Sequence, residues 1–312
     1  QPIHAALRRL YLGRAAAGAS DRAGRTGPDP SRLPPLVLTA ADLRLDGAAL
    51  GQLRLVATPR TGGIRLTEID LNSEQQHISA SGEWWRTLTG QASRLRATLR
   101  SRALGETLSA FGYAGTDIAR GETQAELEVE WAAALPDFTL DRMEGVLKFQ
   151  VGSGQLLDID PGMGRMVGIF NVQNLMRRLS FDFSDLFQPG MGFDRMTGEF
   201  TFGKGDAFTD NFLIEAPAAQ ILIQGRTGLK ARDYDQRITV TPRLGGTLPV
   251  AGALAGGPAV GAAIFLAEQL LRKGIEHAIR YHYTLKGSWD EPVLESPQEP
   301  PPTTPKAFVG EN

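Results

Sequence analysis

Residues 36–71 read LVLTAADLRLDGAALGQLRLVATPRTGGIRLTEIDL. Apolar side chains recur there at every second position: Leu36, Leu38 and Ala40, then Leu43 and Leu45, Leu53 and Leu55, Ile64 and Leu66, Ile69 and Leu71. Successive side chains of a strand point to opposite faces, so each run has one apolar and one polar face. Gly47, Gly51, Pro59 and Gly62–Gly63 separate the runs where turns are needed. The stretch predicts an antiparallel meander.

The alternation continues outward. Ile78 and Ala80 lead into Gly82. Leu95/Ala97/Leu99, Leu127/Val129/Trp131, Leu147/Phe149/Val151, Phe200/Phe202, Ile221/Ile223 and Ile238/Val240 follow. The last four sets are expected to share one concave face and to line a groove. A short repeat is visible at Ile78-x-Ala80-x-Gly82-x-Trp84, Ile221-x-Ile223-x-Gly225-x-Thr227 and Tyr283-x-Leu285-x-Gly287-x-Trp289. A glycine inside a strand marks a bulge or a close approach of backbone.

Three segments break the period of two. Ala103–Phe111 reads as a short helix ended by Gly112. Gly162–Leu179 has Met166, Val167, Phe170, Leu175 and Leu179 at helical spacing, and is expected to lay its Met166/Phe170 face on the sheet. Val250–Arg280 joins two unlike halves. Val250–Ala267 is uncharged. Glu268–Arg280 sets Leu270, Leu271, Ile275 and Ile279 opposite a mixed-charge face, with Ile264 and Phe265 just before it. These six residues are candidates for a membrane-end or capping helix. Residues 13–35 read as a loop without periodicity, and 296–312 as a Pro-rich disordered tail.

Composition narrows the function. Among 312 residues the net charge is −2 and no basic cluster appears, which argues against a nucleic-acid partner. The absence of cysteine excludes disulfides, thiolate zinc sites and cysteine nucleophiles. Aromatic content of 7% with 36 glycines suits many short strands better than a helix bundle. Gly162-x-Gly164-x-x-x-Gly168 lacks the preceding strand that a dinucleotide-binding turn requires. His4, His77, His277 and His282 show no metal-ligand spacing. The acidic pairs at Asp182/Asp185 and Asp233/Asp235 fit turns and caps. No G-x-S-x-G elbow, phosphate loop or H-E-x-x-H motif occurs, so the chain reads as non-catalytic, without cofactor or metal.

Gly225-Arg-Thr-Gly-Leu229, Arg232-Asp-Tyr-Asp-Gln236, Val240-Thr-Pro242 and Leu248–Pro258 resemble the C-terminal region of AsmA-like proteins of the YhdP type. So do Arg177–Phe187, Gly192-Phe-Asp194, Pro217-Ala-Ala219 and Tyr283-x-x-x-Gly287-Ser-Trp-Asp-x-Pro292. The resemblance implies a long twisted antiparallel sheet folded into an open, taco-like apolar groove, with short capping helices near the C-terminus. It implies phospholipid movement between inner and outer membranes, and no catalytic residues. It also implies a periplasmic location, anchored in the inner membrane through a segment absent from this chain, with the C-terminus towards the outer membrane.

The physical reading agrees. A continuous apolar sheet face must be covered by another layer or left for a ligand. Acyl chains suit such a face, because hydrophobic attraction is non-directional and scales with area. The expected organisation is 1–35, the end of a preceding strand and a loop; 36–155, a repetitive sheet; 156–295, a C-terminal region with helices at 162–179 and 250–280; and 296–312, a tail. The expected function is a non-catalytic part of a phospholipid conduit in contact with membrane. The alternative is a β-rich scaffold assisting outer-membrane protein assembly, which a groove packed shut by its own side chains would favour.

Overall fold

A computed structural model describes residues 1–13, 28–111, 118–156, 191–243 and 280–295. The first strands are β1 (Ile3–Leu7), β2 (Leu10–Leu12), β3 (Leu36–Leu45), β4 (Ala48–Arg60), β5 (Gly63–Asn72), β6 (Gln76–Arg86) and β7 (Gln91–Ser101). One helix, α1 (Leu104–Ala110), matches the helix expected at 103–111. Then come β8 (Ile118–Arg120), β9 (Thr123–Trp131), β10 (Glu144–Val151), β11 (Gly154–Leu156), β12 (Met191–Phe193) and β13 (Arg195–Gly203). The last are β14 (Asp206–Glu215), β15 (Ala219–Gly228), β16 (Asp233–Pro242), β17 (Tyr281–Ser288) and β18 (Pro292–Glu295).

Fifteen strands form one sheet in the order β1-β3-β4-β5-β6-β7-β9-β10-β13-β14-β15-β16-β17-β18, with β2 also on β3. The sheet does not close into a barrel. It runs on across residue 155, because β10 pairs with β13. From β3 onward neighbouring strands are antiparallel, as a meander requires. The first edge differs. β1 and β2 lie parallel to β3, with Leu7 opposite Ala40 and Leu10 opposite Leu43. The sheet is therefore mixed, and residues 13–35 lie between β2 and β3 in the sequence. The end of that stretch carries a 3-10 turn over Pro30–Arg32, in which Asp29 accepts from Ser31 N and Pro30 is buried.

Bulges explain how runs of opposite parity stay on one face. Ile64 and Leu66 face Trp84 and Gly82, whereas Ile69 and Leu71 face Ala80 and Ile78, with a register shift between. Thr209 faces Gly225, and Phe212 faces Ile223, across the same kind of shift. In both places two residues of the bulged strand lie against one of its partner, and the repeat glycine sits beside the bulge. A Cβ on Gly82 would collide with the Arg94 carbonyl, and one on Gly225 (φ +120°) with the Asp235 carbonyl. The repeat thus marks where backbones approach too closely for a side chain. Its third copy, Gly287, lies opposite Tyr234 in an unshifted register.

β8, β11 and β12 form a separate three-stranded sheet in which β11 is central. Each follows or precedes a long strand: β8 leads into β9, β10 into β11, and β12 into β13. Arg120 (φ 66°) and Gly121 (φ 83°) turn the corner between β8 and β9. α1 packs beside β8 and reaches β4.

Candidate functional site

The registers assemble an apolar floor. Leu38 lies opposite Leu55, Leu55 opposite Ile69, Ile69 opposite Ala80, Ala80 opposite Ala97, Ala97 opposite Leu127, and Leu127 opposite Leu147. One half-buried side chain from each of seven strands, β3 to β10, therefore forms a single row. Six interstrand steps make the row roughly 29 Å long. A second row beside it contains Leu53, Leu71, Ile78, Leu99, Ala125 and Phe149.

Two rims border these rows. On one side Ala57, Ile64, Leu66, Trp84 and Ala134 are buried, with Leu33 and Leu135 packed on them. Trp84 Nε1 donates to Gln91 Oε1 at 2.8 Å and Trp131 Nε1 to the Ala134 carbonyl at 3.0 Å, so both indoles are satisfied although buried. On the other side Leu43 and Leu50 are buried, and with Leu71 of the second row they pack against Ala110 and Phe111 at the end of α1. The Ser101 and Thr107 hydroxyls, 2.8 Å apart, fix the start of that helix to β7.

Past β10 the face changes. Leu147 and Phe149 are half-buried, but Val151, Phe200, Phe202, Ile221, Ile223, Ile238 and Val240 are at most 4% exposed. The registers put all nine groove candidates on one face: Leu147 opposite Phe200, Ile221 opposite Val240, Ile223 opposite Ile238. Seven of the nine are thus interior residues of the largest core cluster. Leu38, Leu55, Ile69, Ala97 and Leu127 are half-buried like Leu147 and Phe149. Their alternation was legible, but burial depends on what packs against a strand, which alternation does not report. Ile264, Phe265, Leu270, Leu271, Ile275, Ile279 and the helix expected at 162–179 lie outside the described residues. No helix among the described residues is long and apolar enough to cross a membrane.

The opposite face is charged and largely paired across strands. Arg94 meets Glu130 at 2.8 Å, Arg96 meets Glu128 at 2.6 Å, Arg54 meets Glu68 at 3.0 Å, and Glu83 holds both Arg60 and Arg65. The Arg96 hydrogen bond keeps the Glu128 carboxyl below its ordinary range. Exposed pairs of this kind add little stability, but they keep this face wet and set cross-strand register. A hollow of about 870 Å³ lies on this side and is lined by Thr98, Arg100, Glu126, Lys148 and Glu199. Its mixed charges suit water rather than hydrocarbon. At its margin Asp70, His77 and Ser79 have the composition of a hydrolytic triad. Asp70 Oδ2 (2.7 Å) and Ser79 Oγ (3.3 Å) both approach His77 Nε2, so the ring cannot relay a proton between them. No group of metal-ligating side chains occurs among the described residues.

One charged cluster is structural. Arg226 donates to both oxygens of Asp233 at 2.9 Å and to Asp206 at 3.0 Å, tying β15 to β16 and β14 at the hairpin end. The hydrogen bonds from Arg226 hold the Asp233 carboxyl below its usual range, and those to Asp233 and Asp206 push the guanidinium upward. Gly228 is opposite both carboxylate residues in register, and a Cβ there would overlap Asp233 Oδ1.

An open sheet, with one face an apolar floor between two rims and the other a ladder of ion pairs, defines a β-trough rather than a barrel. The chain belongs to the YhdP protein family, whose model matches residues 1–294. It is 27% identical over 258 residues to the intermembrane phospholipid transporter YhdP of Escherichia coli (strain K12), which covers 81% of this chain and 20% of that protein. The chain thus spans about a fifth of the length of this relative. No solved structure matches the chain.

Proposed function

We propose that this chain is a non-catalytic section of an intermembrane phospholipid conduit, in which the floor from β3 to β10 carries acyl chains while headgroups stay in water. The observation behind this reading is the in-register row Leu38–Leu55–Ile69–Ala80–Ala97–Leu127–Leu147, half-buried along its whole length. A bilayer core of about 30 Å gives each leaflet's chains about 15 Å, so a floor of roughly 29 Å accommodates a chain at several successive positions. A fully buried side chain contributes about 1.5–3 kcal/mol, so a few half-covered contacts hold a tail without fixing it. The name of the related transporter fits this use of the floor.

The same reading places the chain in the periplasm of a Gram-negative envelope, belonging to a protein anchored in the inner membrane with its C-terminal side towards the outer membrane. Ile264, Leu270, Leu271, Ile275 and Ile279, on the amphipathic segment 250–280, would make the membrane contact. The test is native mass spectrometry of the chain purified without detergent, then reloaded from vesicles of phosphatidylethanolamine and phosphatidylglycerol. Bound phospholipid masses are expected in both preparations. A folded chain that carries none, and takes up none, refutes the proposal.

A further inference from the structure

The floor meets an obstacle where β10 pairs with β13. Phe149 is the register partner of Gly198. A Cβ on Gly198 would lie 3.1 Å from Cε1 and Cζ of the Phe149 ring and 3.2 Å from the Cα of Phe212. The Phe149 ring therefore occupies the space above β13 that a side chain would otherwise fill. Phe200 stacks on it at a centroid distance of 6.0 Å, and Phe212 meets it edge-on at 5.5 Å. Phe200 and Phe212 are themselves 5.8 Å apart, so the three rings form a closed cluster across β10, β13 and β14. Exposure collapses at the same place. Leu127, Leu147 and Phe149 are half-buried, Phe200 and Phe212 are 1% and 2% exposed, and Ile214, Ile221 and Ile238 beyond them are at 0%.

We infer that Phe149, Phe200 and Phe212 form an aromatic barrier that ends the acyl-chain path. Tails travelling along the β3–β10 floor turn aside at β10 instead of passing on between β13 and β17. The inference rests on the floor being a lipid path, as proposed above. Aromatic rings suit a barrier because they are broad, have only two side-chain torsions and lock one another edge to face, whereas Leu or Met would yield to an incoming chain. Gly198 supports this reading: any larger residue there would push Phe149 off β13.

The test uses a diazirine analogue of leucine, nearly isosteric with the residues it replaces, so the fold is retained. It is placed at Leu127 or Leu147 before the barrier, and at Ile223 or Ile238 behind it. The intact chain is irradiated with phosphatidylethanolamine/phosphatidylglycerol vesicles containing radiolabelled phospholipid. Label is expected at Leu127 and Leu147, and at Ile223 and Ile238 at least about tenfold less, the ratio that corresponds to 1.4 kcal/mol of differential occupancy. Phe149→Ala should raise the label at Ile223 several-fold. Equal labelling on both sides in the native chain overturns the barrier and leaves the lipid-carrying floor standing. Absence of label at Leu127 and Leu147 overturns the floor itself, and the barrier with it. No rise at Ile223 in a Phe149→Ala chain that still melts cooperatively also overturns the barrier.

Discussion

Ala97→Asp separates folding from lipid binding at the centre of the floor. Ala97 is half-buried on β7 between its register partners Ala80 and Leu127. The substitution removes no atoms, so it leaves no cavity, and in the empty chain the new carboxylate can reach water. The expected cost to folding is below about 1 kcal/mol. Hydrocarbon lying over β7 removes that water. Burying an unpartnered polar group costs about 1–3 kcal/mol on mutational scales, and a charge costs more. Taking about 3 kcal/mol at 1.4 kcal/mol per decade gives roughly a hundredfold weaker binding at this position. The loss should shrink as pH falls towards the ordinary carboxyl range near 4, because the covered state favours the neutral acid. The control is Thr98→Asp, one residue away on the exposed charged face. Equilibrium titration with a fluorescent phospholipid, alongside urea unfolding, reads both quantities. Ala97→Asp binding as tightly as Thr98→Asp, with both chains folded, would refute the assignment of the floor.

Ile238→Ala should lower stability by about 2–5 kcal/mol, since Ile238 is fully buried between Ile223 and Tyr283; the urea midpoint should fall with an unchanged slope. Gly225→Ala forces a Cβ onto the Asp235 carbonyl at φ +120° and should cost about 2–3 kcal/mol, read as a lower melting temperature. Asp233→Asn should flatten the acid limb of the melting curve. Asp233 has a depressed carboxyl pKa, so its pairing with Arg226 stabilises the fold above the unfolded-state value near 3.9 and is lost as pH falls through the folded value. A variant whose melting temperature drops with acid as steeply as the parent's would show that the clamp contributes nothing to that limb.

The strands were legible because one face is apolar and the other charged. Arg94-Leu95-Arg96-Ala97 and Glu126-Leu127-Glu128-Val129 alternate so regularly that their pairing could almost be drawn from the residues, and β7 does pair with β9 through Arg94–Glu130 and Arg96–Glu128. The glycine repeat was legible as a pattern but not as a bulge. Only the register shows that Gly82 and Gly225 each sit beside a register shift while Gly287 does not. The parallel placement of β1 was not legible, because strand direction is set by where a connection returns and not by side-chain period. Which stretch of the face stays open was not legible, for a related reason. Phe200 and Ile221 alternate as cleanly as Leu55 and Leu127, yet the first pair is interior and the second half-open.

Strands use their backbone donors and acceptors within the plane of the sheet, so nothing polar rises from the rows between β3 and β10. A hydrocarbon sliding along them meets a washboard with a spacing of about 4.8 Å. Its teeth are Leu or Ile, worn down at Ala80 and Ala97. Leucine exceeds alanine by three carbons; at about 0.8 kcal/mol each when fully covered, a half-covered contact makes the deepest unevenness about 1 kcal/mol. Thermal motion crosses such a step readily and in either direction. The washboard has no slope of its own, so net drift along it is set by the lipid's chemical potential at the two ends.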